Sequence, residues 1–483
     1  MKKEVVSRYA PSPTGYMHIG NLRTCLYEYL TAKHAGGKFI LRIEDTDRNR
    51  FVADSEQVIF DTLHACNIKY DEGPDIGGKN GPYRQSERLD IYKEYARKLI
   101  DNKSAYYCFC GEEEKTEVEG EFTVHHCDCA KLSKAEIEKK LTAKTPYVIR
   151  FNAPKDDKST TYHDNVFGDI TVSHKEMYDI VLLKSDGYPT YNFCHIVDDH
   201  LMGVTHVLRG NEYLMTTALY TLIYKAFGWT LPEYYHLPII MTVDKETGKI
   251  VKFSKRHGSV AFRDFVEAGY LPEALINYIA LLGWHLGNSD EEFFTMEELI
   301  KVFDPKDIRK SSSVFDYEKL KWMNAKYLTQ MNLKDFYKVA KPFIEKVLNK
   351  TVNMDALLKL IQPRVQILSE IPEKIEFFEK LPDFDINLLA NDKKKTTLEI
   401  AKNVLTKSLE VLGKVKDWNN DNLFEALNSL ATEMGLKAMS VMWVIRLSVS
   451  GSLVTVGGAT EIMEVLGKDE SIARLKSTLA RIK

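Results

Sequence analysis

Gly15-Tyr16-Met17-His18-Ile19-Gly20-Asn21 sets an imidazole and a glycine at the start of a predicted helix. Unpaired backbone N–H groups and the helix dipole favour an anion there, and Gly20 lets a phosphate or a ring approach the backbone closely. His18 can donate to a phosphate oxygen. Far along the chain, Lys252-Phe253-Ser254-Lys255-Arg256 follows the polar stretch 242–248, which reads as a mobile loop. Cations this dense suit the charge that builds on a leaving pyrophosphate in phosphoryl or nucleotidyl transfer. Taken singly, the first string is equally a capped helix start with a surface histidine, and the second a solvated basic loop. Taken as a pair, they favour a phosphate site.

A third cluster is built on sulfur. Cys108-x-Cys110 and Cys127-x-Cys129 form two tight pairs, with His125 and His126 beside the second. Four thiolates suit tetrahedral zinc. C-x-C is tighter than the usual C-x-x-C knuckle, so free reduced thiols stay open as the other reading. The odd total of seven cysteines speaks against a disulfide framework, and Cys25, Cys66 and Cys194 read as structural.

These residues need elements to hold them. Val5–Ala10 reads as a buried strand, and the Pro11-Ser12-Pro13-Thr14-Gly15 cluster then forces a turn. From Asn21, the residues Leu22, Cys25, Leu26, Tyr29 and Leu30 keep helical spacing, Gly36-Gly37 stops the helix, and Phe39–Ile43 reads as a second strand. This is a βαβ unit, which in a doubly wound sheet puts ligands at the carboxyl ends of its strands. Residues 101–145 break that rhythm and read as part of an insertion, with strand-like runs resuming near Tyr147 and Ile180. From Asn332 the apolar residues Leu333, Phe336, Val339, Ala340, Phe343 and Ile344, then Leu398, Ala401, Val404, Leu405 and Leu409, keep one helical face each. The C-terminal third is predicted all-α.

Composition agrees with a multidomain globular chain. At 483 residues the prior is roughly three domains, and a net charge of −3 excludes a strongly basic nucleic-acid binder, so such contacts must come from local patches. No uncharged apolar run reaches the roughly 18–20 residues of a membrane span, since Arg446 interrupts the best candidate, 438–453. The start lacks the apolar core of a signal peptide, so a cytoplasmic protein is expected.

The string His18-Ile19-Gly20-Asn21 and the string Lys252-Phe253-Ser254-Lys255-Arg256 resemble the two ATP motifs of class I aminoacyl-tRNA synthetases. More specific strings resemble the bacterial glutamyl-tRNA synthetase branch: Arg8-Tyr9-Ala10-Pro11-Ser12-Pro13-Thr14-Gly15, Arg42-Ile43-Glu44-Asp45-Thr46-Asp47, Pro82-Tyr83-Arg84-Gln85-Ser86-Glu87-Arg88 and Tyr188-Pro189-Thr190-Tyr191-Asn192-Phe193. So do Val197-Asp198-Asp199-His200, Val207-Leu208-Arg209-Gly210, Phe315-Asp316-Tyr317-Glu318-Lys319-Leu320 and, near the end, Glu464-Val465-Leu466-Gly467-Lys468. The match runs from Arg8 to the C-terminal region.

The resemblance implies an α/β fold: a Rossmann-like class I catalytic domain (1–85 and 190–258) with an inserted α+β acceptor-binding domain (86–189). A stem-contact region (259–325) and an all-α anticodon-binding region (326–483) follow. It implies ATP-dependent, Mg²⁺-assisted joining of L-glutamate to the 3′ end of tRNA(Glu) through a glutamyl-adenylate, with tRNA bound before activation. The alternative is a non-discriminating enzyme that also charges tRNA(Gln). By resemblance Arg8, Tyr191 and Arg209 hold glutamate carboxylates, Glu44 takes the ammonium and Ser12 assists, which suits a guanidinium facing a carboxylate fork. His18, Lys252, Ser254 and Lys255 serve the phosphates, with Gly20 and Asn21 beside them, and the backbone at Ile239 and Ile240 meets adenine. The last pair fits an ordinary buried strand end equally well.

His195 stands where some relatives carry an asparagine that touches the amino acid; it either contacts substrate or packs. Tyr213 stands where relatives can have Trp. Cys108, Cys110, Cys127 and Cys129 would hold a structural Zn²⁺, and Arg364 is the candidate reader of the anticodon. A monomer is expected. A glutaminyl-tRNA synthetase would carry a β-barrel anticodon region, against the helical pattern, and a catalytically silent tRNA binder would not need intact phosphate motifs. Lys255→Ala is expected to lower the rate of glutamate activation tenfold or more while leaving glutamate affinity nearly unchanged, as read by tRNA-dependent pyrophosphate exchange; normal exchange removes Lys255 from the mechanism.

Overall fold

The computed structural model describes residues 4–47, 52, 54–111, 116–119, 122–125, 128–254, 256, 260–287 and 289–482. The chain forms two compact units, Met1–Phe265 with Leu275–Asp316, and Val266–Ala274 with Tyr317–Lys483.

In the first unit, β1 (Val6–Tyr9) leads through α1 (Ile19–His34) to β2 (Lys38–Leu41), and the strands pair in parallel from Val6↔Lys38 to Tyr9↔Leu41. All four β1 residues are buried, as expected of a parallel strand covered on both faces. The helix begins two residues before the predicted Asn21, because His18 caps it: its Nδ1 accepts from Gly20 N at 3.0 Å. Gly36 ends it with φ +66°, and Gly37 lies so close to the strand that a Cβ there would sit 2.0 Å from the Val5 carbonyl.

Next come α2 (Ser55–Ala65), α3 (Leu89–Asp101), β3 (Ala105–Cys108), the hairpin of β4 (Thr116–Glu119) and β5 (Phe122–His125), α4 (Lys134–Thr142) and β6 (Val148–Phe151). A second hairpin, β7 (Ser159–Asp164) and β8 (Gly168–Ser173), precedes β9 (Val181–Leu183). Strands β3, β6 and β9 form a separate antiparallel sheet. The chain then returns through α5 (Tyr191–Leu201), β10 (His206–Gly210), α6 (Thr217–Phe227) and β11 (Glu233–Leu237). Strands β10 and β11 are parallel, and β7 continues the sheet at Tyr234↔Asp164.

The seam between β1 and β10 is not an ordinary ladder. Thr205 N donates to the Val6 carbonyl at 2.8 Å, but Leu208 N donates to the Glu28 carboxylate, also at 2.8 Å. Glu28 reaches in from α1, is fully buried, and accepts from Arg8 Nη1 at 2.8 Å. Its second oxygen has no hydrogen-bond partner among the described residues.

Beyond β11, β12 (Ile240–Val243) and β13 (Ile250–Lys252) form a hairpin that β14 (Ser313–Phe315) extends in parallel. The stretch expected as a mobile loop is therefore the turn of this hairpin. Asp244 closes it by accepting from the backbone of Glu246 and Thr247 and from the Thr247 hydroxyl, as short polar side chains do in turns.

The second unit carries helices from Tyr317–Gln330 through Leu333–Ile344 and Leu398–Lys414 to Lys468–Arg481, and no strand among its described residues. Its core takes Phe336, Ala340 and Ile344 from one predicted face and Ala401, Val404 and Leu405 from another, while Leu333, Val339, Phe343, Leu398 and Leu409 pack at the margin. Arg474, almost wholly buried, ties the ends of two helices, Ile371–Glu379 and Ala438–Ser450, by donating to the carbonyls of Phe377, Phe378 and Val449 at 2.7–2.9 Å. Among the described residues no helix is long and apolar enough to cross a membrane.

Burial pushes the Glu28 carboxyl up to about 8, against the opposing pull of Arg8. The unfolded chain releases this proton near the ordinary carboxylate value, so between roughly pH 4.5 and 8 the folded state binds more protons and stability falls as pH rises. Glu28→Gln is expected to remove that decline, worth up to about 1.4 kcal/mol per pH unit. Denaturant melts of both proteins across this window, giving parallel pH profiles, would contradict it.

Candidate active site

The carboxyl ends of β1 and β2 present Arg8 and, just past the strand, Arg42 and Glu44. Arg8 and Arg42 come close enough to share one carboxylate. Asp199 Oδ1 on α5 accepts from Arg8 Nε at 3.0 Å and Arg42 Nη1 at 2.8 Å, and the two guanidinium groups hold its carboxyl well below the usual range despite burial. Arg42 Nη2 donates onward to Glu44 at 3.0 Å. The neighbouring Asp198 accepts from Arg88, Gln85 and Tyr92 at 2.7–2.9 Å. Glu44 N donates to the Pro11 carbonyl at 2.9 Å, which fastens the turn carrying the exposed Ser12. Burial raises the Glu44 carboxyl, and Arg42 pulls against that rise.

Arg209, at the end of β10, is different. It is 5% exposed and has no carboxylate partner among the described residues. Its Nε donates to His236 Nε2 at 3.1 Å, its Nη2 to the Thr217 hydroxyl, and its Nη1 faces His195 Nε2 at 3.5 Å. The guanidinium carbon lies 5.1, 5.2 and 5.3 Å from the ring centroids of Tyr213, Tyr220 and Tyr234. Aromatic faces stabilise a cation without neutralising it. A buried positive charge left this way suits an anion supplied from outside.

Tyr191 and His195, both on α5, stack with centroids 4.5 Å apart, and Tyr213 leans on Tyr191 at 5.0 Å. His195 Nδ1 lies 2.6 Å from the Tyr191 carbonyl, which can only accept. The proton therefore sits on Nδ1, leaving Nε2 as an acceptor toward Arg209. Burial, helped by Arg209, lowers this imidazole to about 3 and keeps it neutral.

Next to this pocket, Gly210 opens onto a cavity of about 330 Å³ also lined by His18, Gly20, Asn21, Ile239, Ile240 and Lys252. Both basic-loop and helix-start residues thus reach one space. The connection is direct: Ile19 N donates to the Val260 carbonyl and Phe262 N to the Met17 carbonyl, each at 2.9 Å. The His18 ring meets Phe253 edge-on at 5.7 Å. Because His18 Nδ1 accepts from Gly20 N, its ring proton is on Nε2. Phe253 N donates to the Ile240 carbonyl at 3.0 Å, so the basic loop starts beside the Ile239–Ile240 backbone. Arg23, buried on α1, donates to the carbonyls of Pro238 and Leu282 and holds that backbone in place. Lys255 lies outside the described residues; Lys252 is exposed.

Cys108, Cys110 and Cys129 present sulfurs within 4.8 Å of one another, with Cys110 and Cys129 Sγ 3.7 Å apart. Zinc–sulfur bonds of about 2.3 Å set tetrahedral sulfurs roughly 3.8 Å apart, so the donor set fits that ion. Cys127, the expected fourth ligand, lies outside the described residues. Arg364, in the helical unit, is exposed yet engaged: Nη1 donates to the Leu360 carbonyl at 2.8 Å and Nη2 to Glu461 at 2.9 Å.

Several residues in these networks carry no signature of their own. Glu28, Asp164, Thr217 and Arg23 lie outside the strings that suggest chemistry. Asp198 and Asp199, buried in an otherwise apolar stretch of α5, are the two that a search for charges at core positions finds.

The chain's likenesses agree with this geometry. Residues 4–322 match the family of class I tRNA synthetases (E and Q), catalytic domain, and residues 335–479 an anticodon binding domain. The glutamate–tRNA ligase of Clostridium kluyveri is 48% identical over 99% of this chain and 98% of its own length. That of Clostridium acetobutylicum is 48% identical over 99% of both. A crystal structure of a glutamate tRNA ligase from Elizabethkingia meningosepticum, in complex with its amino acid, superposes with a TM-score of 0.89 at 35% identity, covering both chains completely. Likeness that spans both units and their full length makes this chain a member of the glutamate–tRNA ligases, within the class I tRNA synthetases.

Proposed function

We propose that this chain joins L-glutamate to the 3′ end of tRNA(Glu) in two steps at the paired pocket and cavity. The observation that carries the reading is Arg209, a buried cation without a carboxylate partner among the described residues, one residue from the nucleotide cavity. In the first step the α-carboxylate oxygen of glutamate attacks the α-phosphorus of Mg-ATP; the new P–O bond forms as the bond to the bridging oxygen breaks, and pyrophosphate leaves. Arg209, Arg8 and Tyr191 hold carboxylates, Glu44 receives the ammonium, and Ser12 assists. His195 keeps Nε2 toward Arg209 and so bears on substrate through it.

His18 donates from Nε2 to a phosphate oxygen, Gly20 and Asn21 offer the start of α1, and Lys252, Ser254 and Lys255 meet the departing pyrophosphate. The Ile239–Ile240 backbone takes adenine. In the second step the terminal 2′-hydroxyl of the tRNA attacks the acyl carbon and AMP leaves.

The same reading assigns 1–85 and 190–258 to catalysis, 86–189 to the acceptor end, 259–325 to the stem and 326–483 to the anticodon. Arg364 then reads a base by leaving Glu461. A structural Zn²⁺ on Cys108, Cys110, Cys127 and Cys129 would hold the acceptor-binding insertion together, and a cytoplasmic monomer completes the picture.

Aminoacylation with labelled glutamate and glutamine on tRNA(Glu) and tRNA(Gln) tests it. Glutamate on tRNA(Glu) is expected, and Arg209→Ala should raise the KM for glutamate tenfold or more. Transfer of glutamine overturns the pocket assignment, while glutamate on both tRNAs identifies the non-discriminating alternative. Metal analysis of chain purified without chelators should return about one zinc, falling in Cys108→Ser; a ratio near zero removes the metal.

A further inference from the structure

Arg209 Nε points away from the pocket into a fully buried pair. His236, at the end of β11, and Asp164, at the end of β7, both have zero exposure. His236 Nδ1 lies 2.7 Å from Asp164 Oδ2, which also accepts from His236 N at 3.0 Å. The other Asp164 oxygen accepts from Val166 N and Phe167 N at 3.0 and 2.8 Å. The carboxylate is thereby locked by its own turn. A guanidinium N–H can only donate, so His236 Nε2 must accept from Arg209 and its proton must lie on Nδ1, facing Asp164.

We infer that Asp164 and His236 are positioning residues for glutamate selection: they orient the Arg209 guanidinium, with Thr217 holding one terminal nitrogen, so that Nη1 stays turned to the substrate carboxylate. The inference rests on the assignment of Arg209 to that carboxylate. The chemistry asks for a neutral, singly protonated ring. A carboxylate in direct contact with Arg209 would cancel its charge and compete with substrate. A neutral imidazole accepts the Nε proton and leaves the charge available, while Asp164, one ring farther away, holds the tautomer. Burial and the nearby Arg209 bring the imidazole down to about 4, although Asp164 pulls it up, so it is uncharged near neutrality. The three groups come from three different strands, β7, β10 and β11, and the cavity beside His18 is lined by Leu237 and Pro238, which follow His236, and not by the His236 ring. The arrangement predicts an effect confined to glutamate, because ATP meets the backbone beyond His236 and not its ring.

Steady-state aminoacylation by full-length His236→Ala, His236→Gln, Asp164→Asn and Arg209→Ala tests this, with KM measured separately for glutamate and ATP. His236→Ala and Asp164→Asn are expected to raise the glutamate KM tenfold or more with the ATP KM within twofold of the parent. Asp164→Asn keeps the shape but no longer dictates the tautomer. His236→Gln should stay within threefold, because the amide oxygen can take the place of Nε2 as acceptor. Glutamate KM values within twofold of the parent in both His236→Ala and Asp164→Asn overturn the inference. So does a joint rise of glutamate and ATP KM, or a glutamine variant no better than alanine. A normal glutamate KM in Arg209→Ala overturns the pocket assignment and this inference with it; a raised one beside normal values in the other variants overturns this inference alone.

Discussion

The charge balance around one buried carboxylate, Asp199, governs the pocket. Arg8 and Arg42 approach from adjacent parallel strands, and two guanidinium groups so close and so buried would each lack a counter-charge. Leaving a buried ion unpaired costs several kcal/mol. Asp199 accepts from both through a single oxygen, and Glu28 and Glu44 take one further nitrogen from each. Asp199 thus answers the charge that Arg8 and Arg42 share, while Glu28, raised by burial, serves Arg8 as a hydrogen-bond acceptor; at Arg209, rings and neutral acceptors stand in place of acids. On the function proposed above, an acidic substrate finds in Arg209 a cation that no internal acid among the described residues has claimed.

The nucleotide side depends on a different device. A helix start and a basic loop more than two hundred residues apart are tied by backbone hydrogen bonds through Val260 and Phe262 and by the contact of His18 with Phe253. The cap that places the His18 proton on Nε2 is the same hydrogen bond that begins the helix. Local folding of α1 and readiness for phosphate are therefore one event.

Much of this was legible in the residues. The first βαβ unit follows from buried strand runs, helical spacing from Leu22 to Leu30 and the paired glycines, and the helical faces at Phe336 and Val404 follow from periodicity alone. Resemblance then supplied the family. What stayed hidden depends on contacts between distant segments. Nothing near Glu28 says that its carboxylate will replace a rung between β1 and β10, and Asp164 acquires its role only when β7 joins the edge of β11. The resemblance assigns Arg8 to a substrate carboxylate but says nothing of Asp199 and Glu28, which it also meets inside the protein. The polar stretch at 242–248 is the opposite case: its turn is local, closed by Asp244 on its own backbone neighbours, and only the pairing of the strands on either side of it is added by the structure.

The pairing of Arg42 with Asp199 spans 157 positions, and that distance sets an order on events during synthesis. At about 5–20 residues per second, the two cationic strand ends leave the ribosome roughly eight to forty seconds before the acid they share. Through that interval β1, α1 and β2 can form their parallel contacts while their charged ends stay in water, and β7 and β8 can pair as a hairpin before β11 arrives to receive them. Closing the sheet against β10 waits for α5. The residues around Arg209 therefore come together only once α5, β10 and β11 have emerged, and the cavity beside His18 waits longer still, for the hairpin of β12 and β13 and for Val260.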